Sequence, residues 1–264
     1  MTALPNVVIE ARQVGTMTPD QIRCIEFTGE RLVDRDFSGE LADSFVASKS
    51  RFLRCAFSKV QFDQACWGAG RSQSEYVDCN FDGARFSSTA PGNARFVRCS
   101  FLDVCIEEFI AFDVEFIDCV FSGQLSHGFI NGTRDAKRGL LDSFRRPNEI
   151  RGNDFSRCDF QNFDFRTGVD LSLQKLPAGD RYAYLEHSAN AIAHGRRVVS
   201  SWDEGLLRAE GVNWLSVLQT NCDGGQRQYL LVAPRKIVSK SDHALALLVT
   251  SLRASASNAT DISH

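Results

Sequence analysis

The sequence predicts an all-β solenoid wound as a four-sided coil, followed by a smaller α-rich (α+β) segment. One short pattern recurs five times, and large apolar residues follow one another at intervals of five over residues 22–171. After about residue 171 this interval stops and helical spacing begins. A helix repeats about every 3.6 residues and a strand every 2. An interval of five therefore indicates a chain that turns a corner every five residues, with four corners per coil.

The recurring pattern places two large apolar residues five positions apart, with a cysteine between them. Its copies are Phe52–Phe57, Tyr76–Phe81, Phe96–Phe101, Phe116–Phe121 and Phe155–Phe160. Extending the five-residue step gives 23 central positions, of which 19 hold a large apolar residue and 14 hold phenylalanine. Such regularity indicates an internal repeat, which is the signature of a solenoid.

Units such as Arg35–Gly39, Cys79–Gly83 and Cys158–Asn162 resemble the repeat of the pentapeptide-repeat family, A-(D/N)-(L/F)-X-X. The resemblance covers about residues 22–171 and implies a right-handed quadrilateral β-helix of about six coils. It also implies that the central residue and the residue two before it point inward. The first coil departs from the pattern, because Glu30 and Arg35 occupy inward positions for small residues. The C-terminal segment resembles no family.

Coils stacked at the strand spacing of about 4.8 Å place corresponding central residues in columns. The first column is Leu32, Phe52, Tyr76, Phe96, Phe116 and Phe155, and the second is Phe37, Phe57, Phe81, Phe101, Phe121 and Phe160. The third is Ala42, Phe62, Phe86, Ile106, Ser126 and Phe165, and the fourth is Ala47, Trp67, Pro91, Ala111 and Ile150. In this register Phe160 stacks directly on Phe121.

Cysteine usage indicates a reduced, cytoplasmic protein, because nine cysteines do not match the spacing of a small disulfide scaffold. Five of them share one inward column and are expected to pack as small apolar side chains: Cys55, Cys79, Cys99, Cys119 and Cys158. No residue pattern indicates a catalytic site, a cofactor site or a metal site, so no enzyme activity is expected. No apolar run approaches the length of a membrane span.

Two outward columns lie side by side on one side of the predicted rod. The first alternates in charge and is expected to maintain the stacking register: Asp34, Arg54, Asp78, Arg98, Asp118 and Arg157. The second is an apolar stripe: Val33, Leu53, Val77, Val97 and Ile117. An exposed apolar stripe needs a cover or a partner. Two alternatives stay open, a homodimer contact and a cover formed by the C-terminal helices.

Two loops interrupt the predicted coils, at about residues 68–73 and 127–147, and both should emerge on the same side of the rod. The longer loop combines basic and apolar residues and is predicted to bind a partner through Arg134, Lys137, Arg138, Leu140, Leu141, Phe144, Arg145 and Arg146. An acidic group lies just before it: Asp103, Glu107, Glu108, Asp113, Glu115 and Asp118. This group is either a solvated surface or a mimic of DNA phosphates.

The ends of the coil need caps. Residues 1–21 are predicted to cap the start of a β-helix that spans residues 22–175. Residues 176–264 form the C-terminal segment, with helices at 180–200, 203–221 and 242–253 and strands at Tyr229–Val232 and Ile237–Val238. The tail from Ala254 is predicted to be disordered.

These features favour a protein-binding scaffold, a homodimer with no direct contact to nucleic acid or membrane. The resemblance implies one specific partner, because known members of the family bind DNA gyrase or topoisomerase IV by resembling B-form DNA and protect them from quinolones. Against this, 19 basic and 23 acidic residues leave a net charge of only −4 over residues 22–171. The alternative is an adaptor scaffold in which the C-terminal domain or the apolar stripe mediates dimerisation or partner binding.

Overall fold

The computed structural model describes residues 22–133 and 147–260 and contains two parallel sheets joined as one coil. The seven-stranded sheet consists of β1 (Cys24–Thr28), β3 (Leu41–Ser48), β5 (Gln61–Ala69), β7 (Arg85–Thr89), β9 (Ser100–Ala111), β11 (Val120–Asn131) and β13 (Asp154–Arg166). The six-stranded sheet consists of β2 (Arg31–Val33), β4 (Arg51–Leu53), β6 (Ser74–Val77), β8 (Ala94–Val97), β10 (Glu115–Ile117) and β12 (Ile150–Arg151). Because each strand pairs with the one a full coil later, the predicted solenoid is confirmed.

The coil has four sides, which are numbered in chain order. Side one is the six-stranded sheet. Side two, which follows it, is held by single bridges such as Asp36 with Ala56 and Ala56 with Asn80. Sides three and four are the two halves of the bent strands in the seven-stranded sheet, represented by Phe62 and Trp67 in β5.

Aromatic rings stacked between coils fill the interior. On side two, Phe81 lies 4.9 Å from Phe57 and 4.6 Å from Phe101, between ring centroids, with nearly parallel planes. On side one, Tyr76 stacks at 4.7 Å on both Phe52 and Phe96. A central residue every five positions therefore builds a continuous aromatic core, in which offset stacking adds to the burial of apolar surface.

The last coil differs from the predicted register by one side. Phe155, and not Phe160, stacks on Phe121 at 4.6 Å. Ile150 pairs with Phe116 on side one, not with Ala111 on side four. Two further pairs complete the coil: Phe160 with Leu125 and Phe165 with Ile130. The predicted columns were therefore wrong for Ile150, Phe155, Phe160 and Phe165.

The shift of one side arises because Ile130 fills side four of the preceding coil by pairing with Ala111, so the long insertion follows side four and Ile150 starts the next coil on side one. A separate shift, of one residue, occurs at Gly123. Strand β11 takes four residues from Phe121 to Leu125, where β9 takes five from Phe101 to Ile106. Gly123 has a φ of +96°, and a Cβ there would lie 2.2 Å from the Val104 carbonyl oxygen. Only glycine allows the two backbones to approach this closely. Leu125 thus takes the column position predicted for Ser126, whose buried hydroxyl donates instead to the carbonyls of Ile106 and Glu107.

Both loops leave the rod at the edge between side four and side one, as the prediction of a common side requires. The first follows Trp67 and precedes Tyr76. The second lies between Ile130 and Ile150, and β11 continues to Asn131, so residues 127–131, predicted as loop, are strand. The partner-binding residues predicted in the long loop, Arg134 to Arg146, lie outside the described residues, as does the predicted cap 1–21.

The C-terminal segment is α-rich, as predicted, but two of its elements differ. It contains β14 (Tyr182–Leu185), α1 (Ser188–Ser200), α2 (Leu206–Asp223), β15 (Tyr229–Val232) and α3 (Lys240–Thr260). Residues 182–185 are a strand and not a helix, because they pair antiparallel with β15. Ile237 and Val238 are exposed and lie outside the strands, and α3 continues through the predicted disordered tail to Thr260.

The C-terminal segment caps the end of the rod. Leu176, Tyr182, Leu230 and Val232 pack on the aromatic core. The Tyr182 hydroxyl donates to the Cys158 carbonyl at 3.2 Å. None of the described helices combines the length and apolar character needed to cross a membrane.

Candidate protein-binding surfaces

The apolar stripe predicted on the outer surface lies on side one. Strand pairing aligns Val33 with Leu53, Leu53 with Val77, Val77 with Val97, and Val97 with Ile117. The first four side chains are partly exposed, whereas Ile117 is only 2% exposed. The stripe is therefore open over four coils and closed at the fifth.

Ion pairs flank the stripe on both sides and tie each coil to the next. On one flank, Arg54 forms a bidentate pair with Asp34, at 2.7 Å for both contacts, and Arg98 forms one with Asp78 at 2.7 and 2.9 Å. On the other flank, pairs join the intervening coils: Arg51 with Glu75 at 3.1 Å and Arg95 with Glu115 at 2.5 Å. Successive coils are thus joined alternately on the two flanks.

The outward column of alternating charge that begins at Asp34 and Arg54, called the ladder below, ends differently from the prediction. The backbone N–H of Asp118 donates to the Arg151 carbonyl, which places Gly152 at the next ladder position. The Arg151 guanidinium lies 3.7 Å from Asp118 and supplies the positive charge there. Arg157 pairs in register with Ser122 on side two and is not part of the ladder. The cause is the same one-side shift, which follows from the position of Ile130 on side four before the long insertion.

The ladder should contribute to stability in a salt-dependent way. We expect Asp78→Arg to lower the thermal unfolding midpoint at low ionic strength, because the new guanidinium would stand between Arg54 and Arg98. The decrease should shrink in about 1 M salt, where screening is strong. Differential scanning calorimetry at both salt concentrations measures it, with Asp203→Arg on the C-terminal domain as control.

The ladder carboxylates also predict a pH dependence. The guanidinium of Arg98 holds the pKa of Asp78 below its usual value through a hydrogen bond, and Arg54 does the same for the pKa of Asp34. A lowered folded-state pKa stabilises the fold above the unfolded pKa of about 3.9, and this contribution is lost as the pH falls through the folded value. Asp78→Asn should therefore flatten the acid side of the stability curve. Two results would together contradict the ladder. One is that Asp78→Asn leaves the acid side of the stability curve unchanged, and the other is that the effect of Asp78→Arg on the unfolding midpoint does not depend on salt.

The acidic group predicted from the sequence is dispersed around the rod and does not form one surface. Asp113 lies at the edge where the loops leave, Glu115 is 8% exposed on side one, and Asp118 belongs to the ladder. Asp103, Glu107 and Glu108 remain together on β9 and are exposed. Five consecutive residues cover one side, so acidic residues spread over one coil point in different directions.

Side three is the acidic side of the rod. Asp43 and Asp63 occupy neighbouring outward positions, and Glu107 and Glu108 continue them beyond one intervening coil. Among the described residues, no cation lies within ion-pair distance of Asp63, Glu107 or Glu108. Two arginines lie on this side, Arg85 and, beside Asp43 in the first coil, Arg23, which pairs with Glu40. Asp43 and Asp63 were missed in the sequence, although the five-residue step aligns both with Glu107.

Side four carries a second outward column that the sequence analysis missed. Its partly or fully exposed members are Val46, Cys66, Ala90, Ile110 and Phe129. Phe129 contacts Phe112 at 4.9 Å, and the Arg166 guanidinium lies 4.4 Å above its ring. The sequence contains the signal for this column, because an apolar residue directly precedes most members of the fourth column.

The thiol column is part of the core. Cys79, Cys99 and Cys119 are buried, and their Sγ atoms donate to carbonyls of the preceding coil, Cys99 to Tyr76 at 3.3 Å. Burial raises the pKa of the Cys99 thiol, which keeps it protonated and unreactive. The shifted register removes Cys158 from this column; its place beyond Cys119 is taken by Asn153, whose amide donates to the Phe116 carbonyl.

No group of His, Cys, Asp and Glu side chains in the described ranges is arranged to hold a metal ion. The enclosed cavity between β13, β15 and the helices has a volume of only about 40 Å³. Its lining combines Phe163, Trp214, Leu218 and Leu248 with Asp164 and Asn221. A cavity of this size holds one or two water molecules and no larger ligand.

No protein-family model and no curated protein matches this chain. Two solved structures of QnrB1, a plasmid-mediated fluoroquinolone resistance protein, are similar to it at 16% identity. A trypsin-treated variant matches 57% of this chain and 77% of its own, with a TM-score of 0.26. The full-length protein matches 57% of this chain and 81% of its own, with a TM-score of 0.21.

Proposed function

We propose that this protein is a non-catalytic scaffold that binds another protein through the acidic side of its rod. The observation that carries the proposal is the set of exposed carboxylates on side three, Asp63, Glu107 and Glu108, without a described counter-ion. Side one has more charges, but most of them are paired within the chain. Unpaired carboxylates attract a basic surface, and their field accelerates association.

The partner class that we propose is a type II topoisomerase, DNA gyrase or topoisomerase IV. The enzyme's DNA-binding surface must be basic to hold phosphates, and an acidic rod is complementary to such a surface. The resemblance of residues 22–171 to the pentapeptide-repeat family supports the same choice. The contact is thus a mimic of DNA on side three, and its consequence is protection of the enzyme from quinolones.

A second candidate is an adaptor that acts through its C-terminal domain. Three apolar side chains there favour it, because Leu206, Ile237 and Val238 are 61, 57 and 85% exposed. Leu206 borders a shallow groove between the α1–α2 connection and α3. In this case the rod is a rigid support.

Binding of purified gyrase and topoisomerase IV subunits tests the proposal. We expect Glu107→Gln combined with Glu108→Gln to weaken binding about tenfold, equivalent to about 1.4 kcal/mol, and to reduce its salt dependence. The matched control is Asp203→Asn with Glu204→Gln, which removes two adjacent exposed carboxylates from the C-terminal domain. The control should bind as the parent does.

Two outcomes would contradict the proposal. One is that the parent chain binds none of the subunits at low salt. The other is that the side-three variant and the control lose affinity equally, which would indicate a nonspecific charge effect. If instead Leu206→Asp abolishes binding while the side-three variant binds normally, the adaptor candidate is correct.

A further inference from the structure

The open part of the stripe on side one is an apolar surface without a described cover. Val33, Leu53, Val77 and Val97 are partly exposed in four successive coils. The three C-terminal helices pack on one another and on β14 and β15, so in the part of the chain that the structure describes they do not lie over these residues. An apolar strip of this kind marks an interaction site.

The charges on the flanks form bands across side one. The coil of Leu53 carries Arg51 and Arg54, so it is positive on both flanks. The coil of Val77 carries Glu75 and Asp78 and is negative on both.

The bands continue in the neighbouring coils. The coil of Val97 carries Arg95 and Arg98 and is again positive, and the coil of Val33 carries one charge of each sign, Arg31 and Asp34. The side chains of Arg54, Asp78 and Arg98 are 52, 38 and 55% exposed, so they are available to a molecule placed against this side.

A second copy of the chain fits these bands in one orientation. A two-fold axis in the contact plane, perpendicular to the rod and between the coils of Leu53 and Val77, keeps each flank opposite the same flank of the copy. Leu53 then faces Val77 of the second copy, and Val33 faces Val97. Arg54 faces Asp78 of the second copy on one flank, and Arg51 faces Glu75 on the other. At the ends Asp34 faces Arg98, and one like-charge contact, between Arg31 and Arg95, remains.

Two alternative arrangements bring like charges together on both flanks. If the rods lie parallel, each coil meets its own equivalent, positive against positive and negative against negative. If the antiparallel axis moves to the coil of Val77, Asp78 meets its own copy and Arg54 meets Arg98. Like-charge contacts of this kind disfavour an interface. The charge pattern therefore selects the antiparallel orientation. An axis between the coils of Val77 and Val97 would also bring opposite charges together, but it would place Leu53 against Ile117, which is buried.

We propose that side one is the interface of an antiparallel homodimer centred between Leu53 and Val77. Burial of Ile117 restricts the interface to the four open coils. The contact is about 15 Å long at the strand spacing, so association is weak and depends on concentration. The inference does not rest on the proposed function, because side three lies opposite side one and stays accessible on both copies.

Sedimentation velocity over a concentration series tests the interface. We expect the parent chain to shift from monomer to dimer as its concentration rises, and Val77→Asp combined with Val97→Asp to stay monomeric with an unchanged far-UV spectrum. The matched control, Val46→Asp with Ile110→Asp, places the same changes on side four and should dimerise normally. A parent that is monomeric at every concentration, or a stripe variant that dimerises like the parent, would overturn the proposal.

Disulfide trapping tests the orientation. We expect a mixture of the Val33→Cys and Val97→Cys variants to form a cross-linked dimer under mild oxidation. Val33→Cys alone should not, because the two copies of position 33 lie three coils apart, about 14 Å, beyond the reach of a disulfide. The parent chain controls for its native cysteines. Self-linking of Val33→Cys would contradict the antiparallel register, and loss of topoisomerase binding with intact dimerisation would contradict only the proposed function.

Discussion

Phe101→Ala is expected to lower the free energy of unfolding by about 3–5 kcal/mol, as large aromatic truncations in protein cores do. Phe101 stacks between Phe81 and Phe121 at centroid distances of 4.6 and 4.7 Å and contacts Phe96 edge-on at 5.6 Å. Its removal leaves a cavity in the middle of a column. The coils above and below are held apart by their strand spacing and cannot collapse into it.

Denaturant unfolding of the Phe101→Ala variant measures this loss. The matched control is Phe129→Ala, because Phe129 belongs to the outward column of side four and is only partly buried. We expect the control to lose about 1 kcal/mol or less, in line with a surface-side truncation. Equal losses in the two variants would show that the column does not form the core.

Gln226→Leu is expected to detach the C-terminal domain from the rod. The Gln226 side chain is fully buried, and its Oε1 accepts from the backbone N–H groups of Gly168 and Val169 at 2.9 and 3.1 Å. Its Nε2 donates to the carbonyls of Val169 and Gln228 at 3.0 and 2.7 Å. The amide thereby completes the hydrogen bonding of the last coil, where no further coil follows.

Leucine has nearly the same size but leaves these four backbone groups unpaired. Each buried unpaired group costs about 1–3 kcal/mol, so we expect a total loss of about 4 kcal/mol or more. The hydrogen-exchange rate of the backbone amides should rise in residues 176–254 before it rises in β5 to β11. Gln219→Leu, at a partly exposed position of α2 away from the rod, is the control and should change neither. Protection of the C-terminal domain equal to that of the parent would contradict the capping role of Gln226.

A cluster of charges reinforces the same junction. Asp159 accepts from Arg181 at 2.6 Å and lies 2.7 Å from Arg235. Arg181 also donates to the carbonyls of Phe160 and Ala233. The C-terminal domain is therefore joined to the rod by buried polar contacts as well as by apolar packing, which protects the otherwise open strand edges of the last coil.

The five-residue spacing of large apolar residues predicted most of the rod, because each coil stacks on the next through the same contacts between corresponding residues. Phe57, Phe81 and Phe101 stack as the five-residue step requires, and Val33 to Ile117 align as the predicted stripe. Both loops leave at the same edge because their inserted residues follow the fourth column. The C-terminal helices α1 and α2 followed from their apolar spacing in the same way.

Three features depended on contacts between residues far apart in the chain. The pairing of Ile130 with Ala111 puts the long insertion after side four, and this placement moved Phe155, Cys158 and Arg157 to other columns. Tyr182–Leu185 has a helical pattern, yet pairing with Tyr229–Val232 makes it a strand. The cap formed by Gln226 requires residues 168 and 226 to meet, which no local pattern indicates.

By itself, therefore, the sequence determined the solenoid, its aromatic columns, the charged ladder and the stripe of side one. Only the tertiary structure decided the register of the last coil and the docking of the C-terminal domain. The physical reason is that a repeat is specified by the interval between neighbouring residues. The register of the last coil and the docking of a terminal domain are instead set by which groups meet across coils, where the pairing of Ile130 or the buried amide of Gln226 decides the outcome.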